Sequence, residues 1–260
     1  MRFIDTHTHL NFPDFQKDLN EVIERAKKNH VIHVIVVGIN VSTGKKALEL
    51  KKSYSDFISV SLGFHPHETK KINDEDYTFL EENMDEISAI GEIGLDWIKE
   101  YSPKSLQIEH FTRQLELAKK YHKPVILHLR GEEGFWKEAL RILKFYSHLK
   151  LLFHCYTSNK FIAFKILDLG GFISIPGIIT FEKAENLKEA VKIIPIEKLV
   201  LETDSPFLAP NPMRGRRNEP AFLIYTAKKI AEIKNMRLEE LGEITTKNAI
   251  NFFGLKIRQE

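Results

Sequence analysis

Along this chain, continuous apolar runs alternate with stretches in which apolar residues recur every third or fourth position. These are the signatures of buried strands and of helices packed on one face. Phe3, Ile4 and Asp5 open as a short buried strand. Residues 18–29 then place Leu19, Val22, Ile23 and Ala26 at helical spacing, with Asp18 as the expected N-cap. HVIVVG (33–38) is continuous and rich in β-branched residues, as suits a strand covered on both faces. The alternation repeats, with a helix over 43–54, a strand over 57–63, a helix over 75–84 and a strand over 87–91. Ser102 and Pro103 fit the N-cap and first turn of a long helix presenting Phe111, Leu115 and Ala118 on one side. Strands at 124–128, 150–154, 171–175 and 198–203 follow, separated by helices at 135–146, 161–170 and 185–194. From about Pro220 the chain holds two further helical stretches.

Eight apolar strands, each followed by a helix, predict an α/β fold: a single (β/α)8 TIM-type barrel with extra C-terminal helices. A doubly wound open sheet is the alternative, disfavoured because no Gly-rich phosphate turn follows any strand. No linker-like or repetitive segment divides the chain, so residues 1–260 are expected to form one domain.

Composition narrows the picture a little. Apolar content of 43% with 28% charged residues is that of a globular protein with a large core. A net charge of +2 neither requires nor excludes a nucleic-acid partner, since an enzyme acting on a strand end needs only a local basic patch. The single cysteine, Cys155, excludes an intramolecular disulfide and fits a reducing compartment. No run approaches a membrane span and the N-terminus goes straight into a strand, so a cytoplasmic protein without membrane partners is expected. The oligomeric state is open in the sequence, a monomer being the expectation.

The chemistry is read at the downstream strand ends, where a barrel gathers side chains at one mouth. His7 and His9 follow the first strand, His65 and His67 the third, and Glu92 the fourth. His128 ends the fifth, His154 the sixth, and Asp204 follows the eighth. A lone buried histidine is usually a core residue. Metal-ligand types at the same end of successive strands point instead to one site. Four histidines with two carboxylates exceed what one four-coordinate cation uses, so two divalent cations sharing a carboxylate are the economical reading. Such a pair suits ester, amide or phosphodiester hydrolysis. The mixed imidazole and carboxylate set suits Zn, Mn or Co, and the cation is left open among Mg, Mn and Zn.

Six stretches then carry a family likeness: DTHTHL (5–10), GFHPH (63–67), AIGEIGLD (89–96), PVILHLR (124–130), FHCYT (153–157) and ETDSPFLAPNPMRGRRNEP (202–220). Together they closely resemble the TatD family of metal-dependent deoxyribonucleases, within the amidohydrolase-like barrels. The resemblance implies a nuclease that removes nucleotides from DNA ends, mainly 3′ to 5′, with single-stranded ends as substrate. It also implies that His7, His9, Glu92 and Asp204 hold one cation and Glu92, His128 and His154 the other. Asp204 would orient or deprotonate the attacking water, and His65 would face the scissile phosphate. Glu202 is expected to support a ligand rather than be one, and His67 to lie behind the ligands or in a loop. Arg214 is the expected phosphate contact of the last motif, while Arg216 and Arg217 read equally as solvated loop charges. Cys155, next to His154 on a strand, is expected to point away and pack.

The chain departs from the family pattern in three places. HLRGE (128–132) stands where the family usually has HSRDA, HCYTS replaces HCFSG, and Lys99 occupies a position commonly held by arginine. All expected ligands survive; substrate contacts are what these changes touch. The alternative on the same scaffold is hydrolysis of another ester or amide, as by D-aminoacyl-tRNA deacylases, phosphotriesterase-like enzymes or lactonases. Many of the last two groups bridge their cations with a carboxylated lysine on the fourth strand, where this chain has Glu92. A barrel that binds without turnover would have lost a ligand, and none is lost.

Overall fold

The computed structural model describes residues 1–257, and its eight strands pair in parallel in the order in which they occur along the chain. They are β1 (Phe3–Thr8), β2 (Val31–Gly38), β3 (Ile58–Leu62), β4 (Ala89–Asp96), β5 (Val125–Arg130), β6 (Leu151–Phe153), β7 (Phe172–Ile175) and β8 (Leu199–Leu201). The connecting helices are α1 (Leu19–Lys28), α2 (Val41–Ser53), α3 (Asp74–Glu82), α4 (Lys104–Lys120), α5 (Glu133–Lys144), α6 (Lys160–Asp168) and α7 (Glu185–Ile193). α8 (Leu223–Lys234) and α9 (Leu238–Phe253) complete the ring, so the expected TIM-type barrel with extra C-terminal helices is what forms.

Alternation along the strands sorts the core into two layers. Phe3, Val34, Val36, Val125, Leu127, Leu151 and Phe153 belong to the layer beneath the helices. Ile4, Ile35, Val37, Ile126, Leu152 and Val200 form the other, packed against Phe252 and Phe253 of α9. The same parity continues upward: two residues beyond Ile126 is His128, two beyond Leu152 is His154, and two beyond Val200 is Glu202. The inward register of an apolar core thus delivers polar side chains to the mouth.

β8 and β1 do not share a continuous ladder. The seam between them is stitched at the mouth by the bridge between Thr8 and Ser205. There the Asp204 amide donates to the His7 carbonyl at 2.9 Å and the His9 amide to the Ser205 carbonyl at 2.8 Å. Closing the barrel and setting His7, His9 and Asp204 side by side are therefore one event.

β4 is longer than the run 87–91 suggested, and Glu92 lies inside it rather than after it. Its pairing with β5 shifts register between Ile90 and Ile93, which brings Glu92 to the inner face. Farther along, Gly94 lies against His128 with φ +148, and a Cβ there would sit 2.0 Å from the His128 carbonyl oxygen. A residue with a side chain cannot make that approach. Two expected caps also differ. Asp18 caps nothing with its side chain, because a charge-assisted fork to Arg217 outbids a backbone amide: Nη1 donates to Oδ1 at 2.8 Å and Nη2 to Oδ2 at 2.7 Å. Ser102 precedes the Pro103 N-cap of α4, and its hydroxyl instead donates to the His67 carbonyl at 3.2 Å.

Candidate metal centre

The mouth opens into a cavity of about 590 Å³ whose wall includes His9, His65, Glu92, His128, His154 and Asp204. Glu92 stands between two groups of imidazoles. Its Oε2 lies 3.4 Å from His7 Nε2 and 4.0 Å from His9 Nε2. Its Oε1 lies 2.6 Å from His128 Nδ1 and 2.9 Å from His154 Nε2. Asp204 Oδ1 completes the first group, 3.8 Å from His7 Nε2 and 3.4 Å from His9 Nε2. The His7 and His154 rings stack with centroids 3.8 Å apart, so the two groups are in contact.

The imidazoles are oriented from behind. His9 Nδ1 faces the Val37 carbonyl oxygen at 3.2 Å, His154 Nδ1 faces the Glu202 carboxylate at 3.4 Å, and His128 Nε2 faces Asp96 Oδ2 at 3.3 Å. Each acceptor takes a proton from the far nitrogen and leaves the other nitrogen turned inward, the arrangement metal-bound histidines need. His7 has neither nitrogen hydrogen-bonded although the ring is fully buried. An orphaned imidazole aimed at two carboxylates is costly unless a cation completes it, and the groups His7–His9–Asp204 and Glu92–His128–His154 are each close enough to hold one.

The electrostatics agree. Burial alone would raise the Glu92 carboxyl, but His154, His65 and His128 outweigh it and hold it well below the usual carboxylate range. Burial likewise opposes ionisation of Asp204, and His9, His154 and His7 reverse it, so its pKa is lowered. Burial, helped by His154, lowers His7 and keeps it neutral. For His154 burial is again the largest influence, yet Glu92 and Glu202 on its two sides raise it well above the ordinary histidine value.

The remaining expected residues divide. His65 reaches the cavity, with Nε2 3.3 Å from His128 Nδ1, while its Nδ1 accepts the His67 amide at 3.1 Å. His67 is not behind the cavity as expected but on its wall, with Nε2 2.9 Å from Asp96 Oδ2, and with His65 and His128 it forms a further group close enough to hold a cation. Glu202 is fully buried behind His154 and also accepts the Cys155 amide at 2.7 Å. The structure does not bring Arg214 to the cavity wall: its guanidinium rests over the Phe181 ring, 4.6 Å from the centroid, where it gains a cation–π contact. Arg217 is spent on Asp18. The wall carries Lys99, a position the sequence tied to substrate contacts, and three residues not expected there, Arg130, Asp96 and Cys155. Cys155 lies beyond the end of β6 in a left-handed conformation, φ 48, so strand alternation does not turn it outward. Asp96 and Arg130 sit inside the quoted motifs, but nothing in residue type alone separates them from the structural residues around them.

Residues 4–254 match the family model for TatD related DNases. The chain is 40% identical over 253 residues to the uncharacterized metal-dependent hydrolase YabD of Bacillus subtilis, covering 96% of this chain and 98% of that one. It is 32% identical over 264 residues to the human deoxyribonuclease TATDN3, covering 96% and 94%. The crystal structure of YJJV, a TatD homolog from Escherichia coli K12, superposes with a TM-score of 0.91 at 28% identity, over 98% of each chain. With ligand-type residues on five strands meeting at one mouth, this chain belongs to the TatD family and is a metal-dependent hydrolase.

Proposed function

We propose that the protein is a deoxyribonuclease that removes nucleotides from single-stranded 3′ ends of DNA, using two divalent cations, Mg, Mn or Zn. His7, His9, Glu92 and Asp204 would hold one, and Glu92, His128 and His154 the other. The observation that carries this reading is Glu92, whose two oxygens face separate imidazole groups. When bound, such cations polarise a phosphoryl oxygen and lower the pKa of water.

The chain's own residues supply the rest. Asp204 Oδ1 is turned to His7 and His9, which leaves Oδ2 to accept a proton from the attacking water. Because the His67 amide donates to His65 Nδ1, the His65 proton sits on Nε2, which lies 3.3 Å from His128 Nδ1 and 3.6 Å from Glu92 Oε1 and would donate to a phosphoryl oxygen bound beside them. Burial and the neighbouring His128 keep His65 neutral, well below the usual histidine value. Lys99 and Arg130 would balance the charge of a phosphodiester from the wall. The half-exposed ring of Phe207 offers an unpaired base a face to stack on. A lone cysteine suits the reducing cytoplasm.

The test is release of mononucleotides from oligonucleotides labelled at either end, with Mg, Mn or Zn added in turn. Stepwise loss from the 3′ end, abolished by chelator and by Asp204→Ala in a folded variant, is expected. Metal-loaded protein that leaves DNA intact while hydrolysing a lactone, an aryl phosphate or an aminoacyl-RNA would replace this reading with that activity.

A further inference from the structure

Asp96 is fully buried at the end of β4, and each of its oxygens has a separate task. Oδ1 accepts the backbone amides of Ile98 and Lys99, both at 2.9 Å. Oδ2 lies 2.9 Å from His67 Nε2 and 3.3 Å from His128 Nε2. The residue itself is clamped by Gln107, whose Oε1 accepts the Asp96 amide at 2.8 Å and whose Nε2 donates to its carbonyl at 3.1 Å. The carboxylate is thus fixed in place and in rotation. With two amides pointing at Oδ1 and two imidazole nitrogens at Oδ2, it is placed as an acceptor on every side.

We infer that Asp96 is a positioning residue that keeps the His128 proton on Nε2 and so leaves Nδ1 free to face Glu92 and a cation. This rests on the reading in which Glu92, His128 and His154 hold the second cation. Carboxylate replacement shows why the charge matters. In Asp96→Asn the side-chain carbonyl must stay where two backbone amides point, because an NH₂ group there would meet two donors. The NH₂ group then occupies the place of Oδ2, where it donates to His128 Nε2. The imidazole proton moves to Nδ1, and the inward lone pair is lost. Asp96→Asn is nearly isosteric, so the barrel is expected to fold unchanged.

The experiment uses the full chain with labelled histidine. His128 side-chain nitrogen shifts are assigned against His128→Gln and recorded with and without zinc, and zinc binding is followed by calorimetry. In the wild type, Nε2 of His128 stays protonated in both conditions. In Asp96→Asn, Nε2 loses its proton, the first zinc equivalent binds as before, and the second binds about 10- to 100-fold more weakly. An unprotonated Nε2 in the wild type overturns the inference without any variant. So does an Asp96→Asn protein that retains the Nε2 proton or binds both equivalents at wild-type affinity. Failure of the underlying two-cation reading is seen separately, as wild-type Nδ1 shifts of His128 that do not respond to zinc.

Discussion

Glu202 stands directly behind His154, its carboxylate 3.4 Å from Nδ1, on the side of the ring away from Glu92. The imidazole is held between two carboxylates, one of which would share the cation while the other only orients the ring. Glu202 is in turn fixed by the Cys155 amide at 2.7 Å. Glu202→Gln keeps the shape and removes the charge. It is expected to weaken binding at the Glu92–His128–His154 group by about 10- to 100-fold. Zinc titration by calorimetry checks this, and wild-type affinity for both equivalents in the variant would refute it.

Metal removal should also be visible as stability. His7 and its neighbours form a buried set that a cation completes only in the folded chain. A ligand at about a thousandfold excess over its Kd stabilises by about 4 kcal/mol. For a chain of this size that corresponds to a rise in Tm on the order of 10 °C. Thermal melts of chelated and zinc- or manganese-loaded protein measure it. Identical melting in both states would deny any cation at this site.

How much of this was legible in the sequence depends on which physical signal carried it. The barrel was legible because βα alternation is written in the period of apolar residues. The residues His7, His9, Glu92, His128, His154 and Asp204 were legible because each is a ligand type at a strand end. What was not legible depended on register or on competition between partners. Glu92 faces the barrel interior only because pairing with β5 shifts between Ile90 and Ile93. Cys155 turns to the cavity because β6 stops at Phe153. Asp18 looked like an N-cap, but a distant arginine, Arg217, takes its carboxylate. Arg214 looked like a phosphate contact, and Phe181, more than thirty residues upstream, takes its guanidinium. Such choices are made by tertiary neighbours, which no local pattern records.

Gly94 supplies a packing test of the site. A Cβ there would lie 2.0 Å from the His128 carbonyl oxygen, and φ +148 is strained for any L side chain. Gly94→Ala must push β4 away from β5 at the point where His128 is carried. A loss of at least about 2 kcal/mol in unfolding free energy is expected from strain and clash together. Urea denaturation reads the stability. A variant as stable as the wild type would mean that β4 and β5 can part here without cost.

The last prediction concerns acid and lies away from the cavity. His33 on β2 is almost fully buried, with Nε2 2.9 Å from the Ser59 hydroxyl. Burial pushes its pKa down from 6.5 to about 4, against a small opposing effect of the Asp56 backbone. The folded chain therefore holds this ring neutral where the unfolded chain protonates it. Between these two values the unfolded state binds more protons, so stability falls as pH falls. The contribution is complete above pH 6.5 and is lost progressively down to about pH 4. At about 1.4 kcal/mol per pH unit, the gap is worth about 3 kcal/mol. His33→Gln removes the titration at the cost of an altered contact to Ser59, so it starts lower at neutral pH and declines less steeply in acid. Urea unfolding of chelated wild type and variant at several pH values from about 7 to about 4.5 compares the slopes. The difference isolates His33 from the histidines at the mouth, which are unchanged in both proteins. Parallel slopes would mean that the folded barrel does not hold the His33 ring neutral.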